Sequence, residues 1–106
     1  MTDRFLGTLG ICRKAGKCIL GYTKTEESVK ANKVFAIFIA SDISPKTEKE
    51  LRYLTRDKEI SVVKTHYSMF EISNRVGMKT GIVAIEDDGF ATALIEKYKG
   101  EITNDD

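Results

Sequence analysis

Apolar residues fall along this chain in two alternating rhythms, one helical and one short and uninterrupted, and the alternation predicts the architecture. From Arg4 to Lys14, Phe5, Leu6, Leu9 and Cys12 recur at helical spacing with Ile11 beside them, which predicts a first helix packed by one face and ended near Gly16. Gly7 and Gly10 weaken it, and close approach of another element is the expected reason. Lys17 to Leu20 then reads as a short strand, and a helix from about Thr25 to Ala31 follows with only Val29 and Ala31 to bury.

Val34 to Ala40 is an unbroken apolar run rich in branched and aromatic side chains, the pattern of a strand covered on both faces, so it is the expected central strand. Ser44 followed by Pro45 starts a helix expected to run to about Lys58 on Leu51 and Leu54. A third strand spans Ser61 to Thr65. Ser68 and Glu71 have capping-box spacing and open a short helix, ended at Gly77, that is expected to bury Phe70 and Ile72. Ile82 to Ile85 is the fourth strand, and Asp87 and Asp88 cap a last helix in which Phe90, Leu94, Ile95 and Tyr98 share a face and Gly100 is the expected end. Helices alternating with strands predict an α/β protein, a three-layer α/β/α sandwich around a mixed four-stranded sheet. Residues 1–100 are expected to form one domain, and the acidic tail from Glu101 to Asp106 to fray.

Composition narrows this picture without redirecting it. A chain of 106 residues, 42% hydrophobic, is long enough for a single self-standing core. No run is long enough to cross a bilayer and no basic-then-apolar leader opens the sequence, so a cytoplasmic protein is expected. Cys12 and Cys18 match no zinc or redox spacing and lie in apolar surroundings, which predicts buried reduced thiols and no metal.

Net charge changes more when the chain is divided. Residues 1–40 carry seven Lys or Arg against three acids, +4, whereas residues 41–106 carry ten against thirteen, −3. A basic N-terminal part suits a polyanionic partner. Its cations Arg13, Lys14, Lys17 and Lys24 flank Gly21, which lies between the apolar trio Cys18, Ile19, Leu20 and a helix start. Thr23 and Glu26 have the spacing of a second capping box there. Exposed helix starts also attract phosphate.

Catalytic patterns are missing. His66 is the lone histidine, with no triad or nucleophile elbow around it. Gly7, Gly10 and Gly16 lie in and after a helix rather than between strand and helix, so no phosphate-cradling loop is present. Asp42, just after the central strand, occupies a position where open α/β sheets carry ligand contacts, yet nothing gathers other acids beside it.

The segments LGICRKAGKCILGY, AIFIASDISPKTEKEL and NRVGMKTGIVAIEDDGFA, in this order and spacing, resemble the bacterial YlxQ-type branch of the ribosomal protein L-seven-Ae family over about Phe5 to Tyr98. The resemblance implies the same α/β/α sandwich and binding of structured RNA, typically at kink-turns. In the kink-turn binders a glycine corresponding to Gly21 precedes an Asn-Glu pair and then, after two more residues, a lysine; here Thr23, Lys24 and Glu27 stand in those places. The loop beside the bulged nucleotide corresponds to Val76 to Gly81, with Met78, Lys79 and Thr80 as the contacting residues.

The expectation is therefore a non-enzymatic RNA-binding protein without cofactor, docking structured RNA, expected to be ribosomal, on Arg13, Lys14, Lys17, Gly21, Thr23, Lys24, Met78, Lys79 and Thr80. Tyr22 is the one aromatic expected at this edge, which disfavours binding by successive base stacking. Two rivals remain open: a protein-interaction module of the translation or RNA-processing machinery that has lost kink-turn recognition, as Glu27 suggests, and an enzyme using Asp42.

Overall fold

The computed structural model describes residues 3–103, with side chains to Ile102. The elements run α1 (Arg4–Lys14), β1 (Cys18–Leu20), α2 (Tyr22–Lys30), β2 (Ala36–Ile39), α3 (Pro45–Leu54), β3 (Ser61–Lys64), α4 (Met69–Val76), β4 (Ile82–Ile85) and α5 (Asp88–Thr103). The strands form one sheet in the order β1-β4-β2-β3. Pairing is antiparallel for β1 with β4 and for β4 with β2, and parallel for β2 with β3, so the expected mixed sheet is present.

The unbroken apolar run does become an inner strand, and side-chain alternation explains why it must be apolar throughout. Ala36 and Phe38 point into one core with Phe5, Leu9, Ile72, Leu94 and Tyr98, beneath α1, α4 and α5. Ile37 and Ile39 point into the other with Val29, Ile43 and Leu51, beneath α2 and α3. The sheet is thus the middle of three layers.

Cys12 and Cys18 are free and buried, as their setting predicts. The neighbouring Cys18 thiol and burial push the Cys12 thiol well above its ordinary range.

Several expectations need correction. α3 stops at Leu54 rather than near Lys58, because Thr55 turns its hydroxyl back onto the Leu51 carbonyl at 3.1 Å and the chain leaves the helix through turns. In α2 the buried residues are Thr25, Ser28 and Val29, whereas Ala31 is exposed as the C-cap. Gly10 does lie against another element, since a Cβ there would meet the Arg75 side chain at 3.1 Å, but Gly7 faces open space.

α5 continues through Gly100 to Thr103. Glu101 ties this last turn to α1, accepting from the Phe5 N–H at 3.1 Å while its other oxygen meets the Tyr67 hydroxyl. The Tyr67 hydroxyl also donates to Asp3 at 2.6 Å. Burial, then the two carboxylates, push the Tyr67 phenol up. Burial pushes the Asp3 carboxyl up as well, but the bond from Tyr67 and the Leu6 N–H outweigh it and hold Asp3 below its usual value. Residues 104–106 of the tail lie outside the described residues.

Candidate nucleic-acid interface

β1, β2 and β3 all point the same way, and β4 runs against them. It follows that α2, α3 and α4, which come directly after those strands, all begin at one end of the sheet, where β4 also begins. This end is the rim on which three helix N-termini, whose first N–H groups have no partner within the helix, meet the loop entering β4.

Two of those N-termini are closed by side chains. Ser44 caps α3 by accepting from the Thr47 N–H at 3.1 Å, with Pro45 opening the helix and Glu48 in its first turn. Ser68 and Glu71 form the full capping box on α4, through Glu71 N–H to Ser68 Oγ at 3.1 Å and Ser68 N–H to the Glu71 carboxylate at 2.9 Å. Asp42 accepts from the Met69 N–H at 2.9 Å. That carboxylate, read from sequence as an enzyme's candidate, is engaged in fastening α4 to the end of β2.

α2 is different. Its N-cap is Gly21 with φ 87° and ψ 163°, a region essentially closed to residues with a Cβ, and no side chain caps the helix. The predicted Thr23–Glu26 capping box is not formed, for a reason that lies in the sheet. The Gly21 N–H extends the β1–β4 ladder by bonding the Ile82 carbonyl at 3.1 Å, so the chain must turn within one residue, and Thr25 N–H already closes onto the Gly21 carbonyl at 3.2 Å. Thr23 and Lys24 consequently lie inside the first turn, and Glu26 lies beyond it, paired with Lys30 at 3.4 Å. No acid occupies the first turn, and both Thr23 and Lys24 are exposed. An open helix start carrying a lysine favours an anion electrostatically and by hydrogen bonding.

The loop from Gly77 to Gly81 runs back along α4. Gly77 ends α4 with φ 80° in the left-handed region. Ser73 Oγ accepts from the Thr80 N–H at 2.9 Å and donates to the Thr80 carbonyl at 3.2 Å. Gly81 lies against the Met69 side chain, 3.0 Å from where a Cβ would stand, and its carbonyl accepts from Ala40 N–H at 2.9 Å. Met78 and Lys79 are exposed at the bend. Thr80, by contrast, is only 6% exposed, and its hydroxyl is spent on the Ile82 carbonyl and N–H at 2.8 and 3.1 Å. Its role is to shape the loop, and the expectation that it offers a contact is corrected.

The expected nine-residue edge divides. Gly21, Thr23 and Lys24 share the rim with Thr80. Arg13 is tethered by Nε to the Val76 carbonyl at 3.3 Å, at the start of the loop. Lys14 is exposed on the last turn of α1. Lys17 lies at the other end of β1, where its carbonyl accepts from Glu86 N–H at 2.8 Å. Lys17 and Gly21 are therefore a strand's length apart, about 13 Å at the rise of extended chain.

The largest miss is Phe70, expected in the core and found 73% exposed. The signal was in the helix geometry: Phe70 and Ile72 are two positions apart and point to opposite faces, and the buried stripe is completed by Ile72 and Val76 at i, i+4 spacing. His66 sits in the turn after β3, with its ring 4.2 Å from that of Tyr67 and Nδ1 3.1 Å from the Tyr98 hydroxyl.

The comparisons with known proteins bear on the family and the fold. The family model described as the ribosomal protein L7Ae/L30e/S12e/Gadd45 family matches residues 3–95. Among curated proteins, the chain is 27% identical over 98 residues to the RNA-binding protein YlxQ of Enterococcus faecium, covering 92% of this chain and 94% of that one. It is 30% identical over 96 residues to the large ribosomal subunit protein eL30B of Schizosaccharomyces pombe, covering 87% and 80%. Among solved structures, a protein of unknown function from Bacillus halodurans superposes with a TM-score of 0.87 at 19% identity, over 92% of this chain and 99% of the other. The Giardia lamblia 15.5kD RNA binding protein superposes with a TM-score of 0.75 at 16% identity, over 98% and 92%. These two structures speak to the fold.

Proposed function

We propose that this chain, which belongs to the ribosomal protein L7Ae/L30e/S12e/Gadd45 family, is a non-enzymatic cytoplasmic protein that binds structured RNA, kink-turn-like or ribosomal, on the rim where α2 begins. The names of its relatives support the class of ligand, one being an RNA-binding protein and another a protein of the large ribosomal subunit. The observation that carries the placement is the open first turn of α2: Gly21 brings the backbone to the surface, no side chain occupies the free N–H groups, and Lys24 stands among them. A phosphate fits that chemistry, and Thr23 adds a hydroxyl for a base edge or a sugar. Met78 and Lys79 extend the surface on the neighbouring loop, while Arg13, Lys14 and Lys17 are outlying cations that add salt-dependent attraction. Glu27 replaces the lysine that kink-turn binders carry, so specificity here rests on Thr23 and Lys24.

Titration into a folded kink-turn RNA and into a duplex of matched length, each at low and near-physiological salt, tests this reading. Preference for the kink-turn that persists at the higher salt is expected. Lys24→Glu should weaken binding and lower the salt slope by roughly 1. Weak, equal binding that salt erases would overturn the specificity, and an unchanged Lys24→Glu variant would overturn the site.

One observation favours a second reading, protein docking. A cleft of ≈ 610 Å³ opens between α2 and α3, lined by Tyr22, Lys30, Lys49, Glu50 and Tyr53 among others, and its mixed charge suits a polypeptide better than a polyanion. Capture of a partner that survives nuclease treatment and is lost with Tyr53→Glu would support it.

A further inference from the structure

The rim has a second half whose chemistry is the reverse of the first. At the start of α4 the Ser68, Met69 and Glu71 N–H groups are engaged by Glu71, Asp42 and Ser68, and the Glu71 carboxylate sits over the turn, so a phosphate meets an unfavourable field there. What this end does offer is the Phe70 ring, 73% exposed. Neighbouring Met69 is fixed at its N–H by Asp42 and packs its side chain on Gly81, the residue before Ile82, whose carbonyl binds Gly21. Phe70 thus stands on the same rim as the open helix start, beside a loop whose Met78 is 54% exposed.

We infer that Phe70 is a stacking platform for an unpaired base of the RNA docked on this rim, which rests on the RNA-binding reading above. Structured RNA presents splayed bases that stack on aromatic rings, and a ring held on a backbone anchored by a capping box and Asp42 loses little freedom when it engages one. The division of labour follows from charge. α2 takes the phosphate, α4 takes the base face, and Glu71 keeps the RNA backbone away from the platform.

The test uses the full chain and the same folded kink-turn RNA. Phe70→Ala and Phe70→Leu should each lower affinity by about 5- to 100-fold, by the same factor at low and high salt, because stacking releases no counterions. Lys24→Glu, in contrast, should change the salt slope. The protein contains no tryptophan, so Phe70→Trp supplies a single indole whose emission should be quenched on binding. An exposed residue can be changed without unfolding the chain, and thermal melting of each variant checks this. If the wild type binds and Lys24→Glu weakens it, but Phe70→Ala binds normally or Phe70→Trp is not quenched, the platform is overturned and the RNA-binding reading stands. If the wild type binds no RNA at all, both are overturned.

Discussion

Two helices begin at the same end of the sheet and treat their first turns in opposite ways. α4 is closed by its own side chains, Ser68 and Glu71, with Asp42 reaching over from the loop after β2, whereas α2 begins on a bare glycine with a lysine in its first turn. Capping is worth roughly 1 kcal/mol to a helix. A short helix of nine residues that forgoes it must be held by packing, and Thr25, Ser28 and Val29, all buried, do that. The difference teaches that sequence spacing suitable for a capping box is not sufficient: Ser68 has the box because the chain enters α4 from a loop, and Thr23 lacks it because the chain enters α2 directly from a ladder.

The comparison can be broken most forcefully at Gly21. Gly21→Ala forces a Cβ into a backbone region of φ 87° and ψ 163°, and an expected loss of about 1–3 kcal/mol should show in urea denaturation. A neutral outcome would mean the turn relaxes and the open start is not imposed by glycine. Next in size, Ser68→Ala should cost about 1 kcal/mol by the same measurement while leaving the RNA salt slope unchanged, since the Glu71 carboxylate in that first turn repels phosphate. Smaller again, Thr23→Asp places a carboxylate in the vacant first turn of α2. Stability should rise by roughly 0.3–1 kcal/mol and RNA affinity should fall, two opposite signs that a purely structural helix start would not produce.

The smallest effect concerns a third kind of cap. Asp3 caps α1 by accepting from the Leu6 N–H at 2.9 Å, and its carboxyl is held below the ordinary value. A depressed folded value means that its contribution is fully present above the unfolded value of about 3.9 and is lost as pH falls through the folded one. Tyr67→Phe removes the hydroxyl that helps hold Asp3 ionised, so the acid limb of the stability profile should become shallower below about pH 4. An acid limb unchanged by that variant would show that the hydroxyl does not govern Asp3.

The order of elements was legible in the chain because each strand and helix carries its own period. Val34 to Ala40 is apolar at every position, which only a strand covered on both faces requires, and Ser68 with Glu71 announces a helix start that the fold then uses. The candidate site was legible in part. Gly21, Thr23 and Lys24 are adjacent in sequence, and local adjacency survives folding. Lys17 is nearly as close in sequence, yet a single short strand carries it to the far end of the sheet, since extended chain covers ground more than twice as fast as helix.

By itself, then, the sequence determined the alternation of helix and strand, the two-sided burial of β2 and the glycine at which β1 turns into α2, because each is a matter of neighbouring residues. Tertiary structure alone decided that the first turn of α2 stays open and that Thr80 turns inward. The first outcome depends on the Gly21 N–H finding the Ile82 carbonyl, a partner tens of residues away along the chain, and the second on the loop folding back along α4 until Ser73 Oγ meets the Thr80 backbone.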